Sequence, residues 1–213
     1  MICKIVLYKI QKIRYNKVGS TVTGTLDWAA RLDAMQQHTG EHILSGTLHR
    51  LYGAENVGFH IGDPYVRMDT SIPLTAQQLA EAEAQANAAV WADTPVRCYL
   101  PDPDTLAATE YRSKKELEGP VRLVEAGGDC CACCGTHLAR TGEVGLIKIL
   151  SAQHYKTGMR LTVACGQRAY NAVAAGWADD DSSIDGYSRC RYPGAMCWLS
   201  ARQPCPRATN SEA

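Results

Sequence analysis

An α+β fold, a mostly antiparallel sheet packed with helices, is predicted by three features of this sequence. Paired runs of alternating apolar and polar residues, NVGFHIG with YVRMDTS and EVGLIKILSAQ with MRLTVAC, are joined by short turns at 62–64 and near Gly158. Turns that tight make neighbouring strands antiparallel. Segments of helical period separate the pairs, above all LTAQQLAEAEAQANAAVWA. Hydrophobic residues make up 46% of the 213, enough to bury a real core.

The elements follow in chain order. Residues 1–26 alternate in CKIVLYKIQKI and again in TVTGTLDW, which predicts two short strands. Asp33 is read as the N-cap of a helix whose apolar positions include Met35, Ile43, Leu44, Leu48 and Leu51, and which Gly53 stops. The strand pair around 62–64 comes next. The helix over 74–92 opens on Thr75 as N-cap and ends before Pro95. PVRCYLP reads as a strand, 101–108 as a turn with a short helix, and the polar, basic EYRSKKELEG as a surface loop or short helix. VRLVEA is a strand leading into a cysteine cluster. The last strand pair and a short helix, GQRAYNAVAAGWA, complete the order. Three regions result: 1–26 as an N-terminal β region, 27–177 as the functional domain, and 178–213 as a tail. The tail has no period and several prolines, and is expected to be poorly ordered.

Charge excludes little. Lys+Arg 22 balances Asp+Glu 22, so a nucleic-acid partner would need a local basic patch. No run is long and apolar enough to span a bilayer. The N-terminal apolar run is broken by lysines and no small-residue cleavage site follows it, so a cytoplasmic location is expected. Of ten cysteines, four crowd into DCCACC, at Cys130, Cys131, Cys133 and Cys134. Adjacent cysteines make a poor disulfide framework and a better metal or reactive site. Cys3, Cys98 and Cys165 lie in apolar stretches and read as buried small hydrophobes.

The chemistry starts at HTGEHILSG. His38 and His42 stand one helical turn apart, where side chains at i and i+4 share a face. A lone pair of this kind is more often two unrelated histidines than a metal site. A second pair changes the balance: Cys133 and His137 lie in a Cys-x-x-x-His turn through Gly135 and Thr136. Thiolate and imidazole are favoured zinc ligands, and two pairs make the four-ligand layout of a tetrahedral site. Spacing favours Cys133, with Cys130, Cys131 and Cys134 as alternatives.

Two other readings fit parts of this pattern. HTGEH matches H-x-x-E-H, the inverzincin metallopeptidase pattern, with Glu41 as general base and Glu81 or Glu83 as the further carboxylate ligand. That reading leaves CCGTH unexplained. A closed Cys/His zinc knot in a nucleic-acid-binding module is the other, but no basic stripe with interleaved aromatics accompanies it.

Three segments together, LDWAARLDAMQQHTGEHILSG, YRSKKELEGPVRLVEAGG and DCCACCGTHLARTGEVGLIKI, resemble the AlaX family, free-standing relatives of the editing domain of alanyl-tRNA synthetase. The resemblance runs from about residue 20 to residue 170. It implies the editing fold shared by threonyl- and alanyl-tRNA synthetases, and hydrolysis of mischarged tRNA(Ala), chiefly seryl-tRNA(Ala). It also implies zinc held by His38, His42, Cys133 and His137. Cys134 departs from the family, which more often has glycine there. Longer members carry an N-terminal β-barrel before the histidine helix; residues 1–26 are expected to be a remnant of it.

On this reading the substrate is an aminoacyl ester on the terminal ribose of tRNA. Glu41, Thr39 and Thr136 flank the ligands and are the candidates for catalytic roles. For Glu41 the competing view is a solvated helix-face residue. His60, in GFHIG, is the candidate partner for the serine hydroxyl, against a half-exposed strand histidine. Arg112, Lys114 and Lys115 are candidate phosphate contacts, against ordinary surface charges.

Overall fold

The computed structural model describes residues 24–113 and 119–180. The strand readings for 1–23, the pair Lys114 and Lys115, Cys3 and the tail from 181 onward lie outside the described residues. Helix α1 (Trp28–Tyr52) is 25 residues long. Its N-cap lies six residues before Asp33: it is Asp27, whose carboxylate accepts from Ala30 N. Asp33 instead takes a two-pronged ion pair from Arg168, at 2.9 and 2.7 Å. A carboxylate early in a helix looks like a cap in sequence, and here it is a tertiary anchor. The end of TVTGTLDW accordingly forms no strand; residues 24–27 lead straight into the helix. Gly53 stops α1 in the left-handed conformation, φ 66°, which suits glycine.

Strands β1 (Asn56–Ile61) and β2 (Val66–Thr70) form the expected hairpin. Helix α2 (Ala76–Trp91) opens with a full capping box between Thr75 and Gln78. Its buried positions Leu79, Ala82, Ala86 and Val90 recur every three or four residues. Strand β3 (Arg97–Tyr99) and the short helix α3 (Pro103–Ala108) follow. Strand β4 (Leu123–Ala126) pairs with β5 (Asp129–Ala132). The first half of the cysteine cluster is therefore strand. A 3-10 turn at Thr141–Val144 precedes the long hairpin of β6 (Ile147–Tyr155) and β7 (Gly158–Cys165). Helix α4 (Gln167–Asp180) runs three residues beyond the expected domain edge at 177.

The strands form two antiparallel sheets rather than one: β1-β2-β7-β6 and β3-β4-β5. Helix α1 touches β1 and β7 of the first and β4 and β5 of the second. The core beneath it gathers Ile43, Leu44, Leu48, Val66, Met68, Val144, Ile147 and Leu161. Burying a side chain of this size stabilises by about 1.5–3 kcal/mol.

Two buried amides finish the larger sheet. Ile147 and Cys165 are opposite each other in the last rung of β6 and β7. Gln37 of α1 both accepts from Cys165 N and donates to Cys165 O, each at 2.8 Å. Asn87 of α2 does the same for Ile147, at 2.9 and 2.8 Å. Each amide supplies the donor and acceptor that a further strand would offer, so no buried backbone group is stranded there.

Candidate metal centre

Helix α1 brings His38 and His42 to its inner face, and the irregular segment after β5 brings Cys133 and His137 against them. The four offer ligand atoms that all lie within 4.8 Å of one another. Ring centroids are 4.9 Å apart for His38–His42, 4.2 Å for His38–His137 and 4.5 Å for His42–His137. Zinc bonds to nitrogen and sulfur place tetrahedral ligand atoms roughly 3.3–3.8 Å apart. The group would need to close by about 1 Å at its widest.

A hydrogen bond sets the tautomer of His38. His38 Nδ1 lies 3.2 Å from the Thr136 carbonyl oxygen. A carbonyl only accepts, so Nδ1 carries the proton and Nε2 the lone pair. That Nε2 is 3.5 Å from Cys133 Sγ. His137 Nδ1 is 3.3 Å from Thr39 Oγ1, which also accepts from Leu138 N at 3.1 Å. His137 Nε2 is buried with no hydrogen-bond partner among the described residues. An orphaned buried ring nitrogen beside a thiol and two imidazoles is what a metal ligand looks like without its ion, and the donor set fits zinc. Burial, with His38 and Arg122 adding, pushes the His137 pKa down to about 3, so the ring is held in its neutral, ligating form. Burial raises the Cys133 thiol.

The turn is built for close approach. A Cβ on Gly135 would run into the His38 ring. Gly135 N donates to Cys133 Sγ at 3.3 Å. Arg122 donates to the carbonyls of Cys133 and Gly135 at 2.8 and 3.0 Å, fixing the loop from outside. Cys133 and not its neighbours joins the three histidines. Cys134 is exposed, Cys130 half-buried, and Cys131 sits against His42 with Sγ 2.9 Å from Nδ1. Cys165 is buried as expected, but Cys98 is exposed on β3, a strand at the edge of its sheet.

Glu41 is no solvated helix residue: it is 3% exposed. Its carboxylate accepts from Asn56 Nδ2 and lies 4.0 Å from His42 Nε2. Thr39 is buried and oriented by the ligand loop. Thr136 is exposed and contributes its carbonyl. His60 is exposed on the edge strand β1. Alternation gives the site its neighbour Phe59, whose ring stacks on His38 at 5.9 Å. Arg112 is not a free surface cation. Its side chain is 14% exposed, grips Asp129 at 2.7 and 2.6 Å and reaches Ser45 Oγ at 3.0 Å. Bidentate pairing with Asp129 commits the Nε and Nη2 donors of the guanidinium within the fold. The carboxylates offered for a peptidase are also committed elsewhere: Glu81 accepts from Tyr52 and Gln85, and Glu83 from Lys148 and Ile149 N. Sequence reasoning missed Asn56, Phe59 and Arg122, whose residue types carry no signal until the helix and strands are placed.

A family model described as the threonyl and alanyl tRNA synthetase second additional domain matches residues 121–161, the span of β4, β5, the ligand loop and β6. The alanyl-tRNA editing protein AlaX-L of Pyrococcus horikoshii is 32% identical over 187 residues, 84% of this chain and 46% of that protein. An alanine–tRNA ligase of Thermococcus kodakarensis is 34% identical over 178 residues, 79% of this chain and 19% of the ligase. The alanyl-tRNA editing protein Aarsd1-B of Xenopus laevis is 31% identical over 155 residues, 70% of this chain and 38% of that protein. The chain thus spans about half the length of the first of these and less of the others. With that domain match over the loop that carries Cys133 and His137 and these alignments over most of its length, the chain is similar to alanyl-tRNA editing proteins and to a part of alanine–tRNA ligases.

Proposed function

We propose that this chain hydrolyses the ester bond of mischarged tRNA(Ala), chiefly seryl-tRNA(Ala), at a zinc site formed by His38, His42, Cys133 and His137. The observation that carries this is the convergence of those four side chains within 4.8 Å, in a chain aligned over most of its length with proteins named for alanyl-tRNA editing. His38 and His137 would hold the ion through Nε2, each oriented by its own Nδ1–H, to the Thr136 carbonyl and to Thr39 Oγ1. When bound, zinc supplies Lewis acidity and an anchor for the polar groups of the aminoacyl ester.

The chain's own residues do the rest. An aminoacyl ester is already activated, so positioning and charge stabilisation carry the reaction. Thr136, exposed beside the ligands, would donate its hydroxyl to the substrate. Glu41, held by Asn56, is the buried carboxylate nearest the cluster and the candidate proton acceptor for an attacking water. Thr39 acts through His137. Phe59 walls the site next to His38. No helix among the described residues is long and apolar enough to cross a membrane.

The test is deacylation of seryl-tRNA(Ala), glycyl-tRNA(Ala) and alanyl-tRNA(Ala) by the purified chain, before and after chelation. Rapid, chelator-sensitive loss of the seryl ester with the alanyl ester spared is expected. Equal loss of all three would remove the specificity, and no loss from a zinc-loaded chain would remove the activity.

A further inference from the structure

A second thiol stands beside the four-residue cluster: Cys131 shares His42 with it, in a group with Asp129 whose ligand atoms also lie within 4.8 Å of one another. Cys131 lies on β5 and Cys133 directly after its end, and both thiols approach α1. Two residues of strand advance roughly 6.6 Å, and the four residues from His38 to His42 advance about 6 Å along the helix. The two spacings match, and the contacts form two rungs: Cys133 Sγ meets His38 at 3.5 Å, and Cys131 Sγ meets His42 at 2.9 Å. The rungs differ in which ring atom they use. Cys133 meets Nε2, the lone-pair nitrogen of His38. Cys131 meets Nδ1 of His42, with Nε2 farther away at 3.9 Å.

Nothing about Cys131 is loose. Its strand is bonded on one side to β4, where Cys131 pairs with Val124. On the other side the backbone at Arg112 closes the edge, accepting from Ala132 N and donating to Cys130 O, both at 2.9 Å. The Arg112 guanidinium holds Asp129, two residues before Cys131, and ties it to Ser45 on α1. Strand and helix are thereby pinned together one turn beyond His42.

We propose that Cys131 is not a metal ligand but a positioning residue for one: it accepts the His42 Nδ1–H and so presents Nε2 to the metal. The inference rests on the zinc-site reading above. It gives His42 what Thr136 gives His38 and Thr39 gives His137, so all three imidazoles have a partner of their own at Nδ1. For His42 that partner is a thiol, a weaker acceptor than an oxygen, brought close by the pinned strand.

Two measurements test it. In the zinc-loaded full chain, long-range proton–nitrogen correlation spectra of the histidine rings should show His42 protonated at Nδ1. A His42 ring protonated at Nε2 overturns the proposal without any mutation. Cobalt titration of wild type, Cys131→Ala, Cys131→Ser and Cys133→Ser is the second. Cys131→Ala should keep the sulfur-to-cobalt absorption per bound ion while binding about 10- to 100-fold more weakly. Cys131→Ser, with an oxygen acceptor in place, should recover most of that loss. Cys133→Ser should lose the absorption. If the band falls in Cys131→Ala, Cys131 is itself a ligand; if its affinity matches wild type, it positions nothing. Absence of cobalt uptake by wild type overturns the zinc-site reading itself, and this inference with it.

Discussion

The site depends on single atoms having the right proton. Cys133 is a thiol raised by burial and His137 a ring kept neutral by burial. Metal must therefore displace a proton from the cysteine and none from the histidine. Zinc uptake at pH 7 should release about one proton, read as a dependence of the calorimetric heat on the ionisation enthalpy of the buffer. Heats independent of buffer would mean that no protonated ligand is lost. Thr39 belongs to the same scale. Thr39→Val strips the acceptor from both His137 Nδ1 and Leu138 N, and should weaken zinc about 10- to 100-fold, whereas Thr39→Ser should not. An equal response of the two variants in a zinc-competition assay would show that the hydroxyl does not orient the ring.

At the scale of elements, much of the chain was legible because period and caps were strong. Thr75 with Gln78, and Gly53 after a run of helical period, mark helix ends by local hydrogen bonding alone. The same logic misplaced the start of α1, since Asp33 satisfies a cap rule while its partner, Arg168, is 135 residues away. The His-x-x-x-His and Cys-x-x-x-His spacings pointed to the four side chains that the fold brings together. The strand under Cys130 and Cys131 was not, because DCCA shows no alternation of polarity to read. His60 and Phe59 differ by one residue on β1; only the register decides which meets the site.

Two element-level expectations follow from partners the structure supplies. Asn87→Ala leaves both backbone groups of Ile147 without the amide, and should destabilise by about 1–3 kcal/mol for each group stranded, measured by denaturant unfolding; a change below about 0.5 kcal/mol, the range of an ordinary surface substitution, would contradict this. The second concerns acid. The Arg160 guanidinium hydrogen-bonded to Asp69 holds that carboxyl below the usual carboxylate range. A lowered folded-state value contributes stability that is present above the unfolded carboxylate pKa and lost as pH falls through the folded one. Asp69→Asn should lower stability at pH 7 and flatten its decline below about pH 4. An unchanged acid limb would show that β2 and β7 do not depend on this pair.

At the scale of the whole molecule, α1 is the element that both sheets share. It carries His38 and His42, and the second sheet brings Cys133 and His137 to them through the loop after β5. The approach relies on Gly46, where a Cβ would strike the Asp129 side chain. Gly46→Val adds a β-branched side chain there and should force α1 and β5 apart. Metal stoichiometry should then fall although no ligand is touched. Full zinc content in a folded Gly46→Val chain would mean that the two halves of the site are less rigidly coupled than their packing implies.

The central claim is that one metal site, closed by Cys133, carries the hydrolysis. Zinc content and seryl-tRNA(Ala) deacylation should be measured side by side in wild type and Cys133→Ala, with circular dichroism confirming the fold of each. Both are expected to be lost together in the variant. A Cys133→Ala chain that keeps one zinc per molecule and full deacylation would contradict the claim.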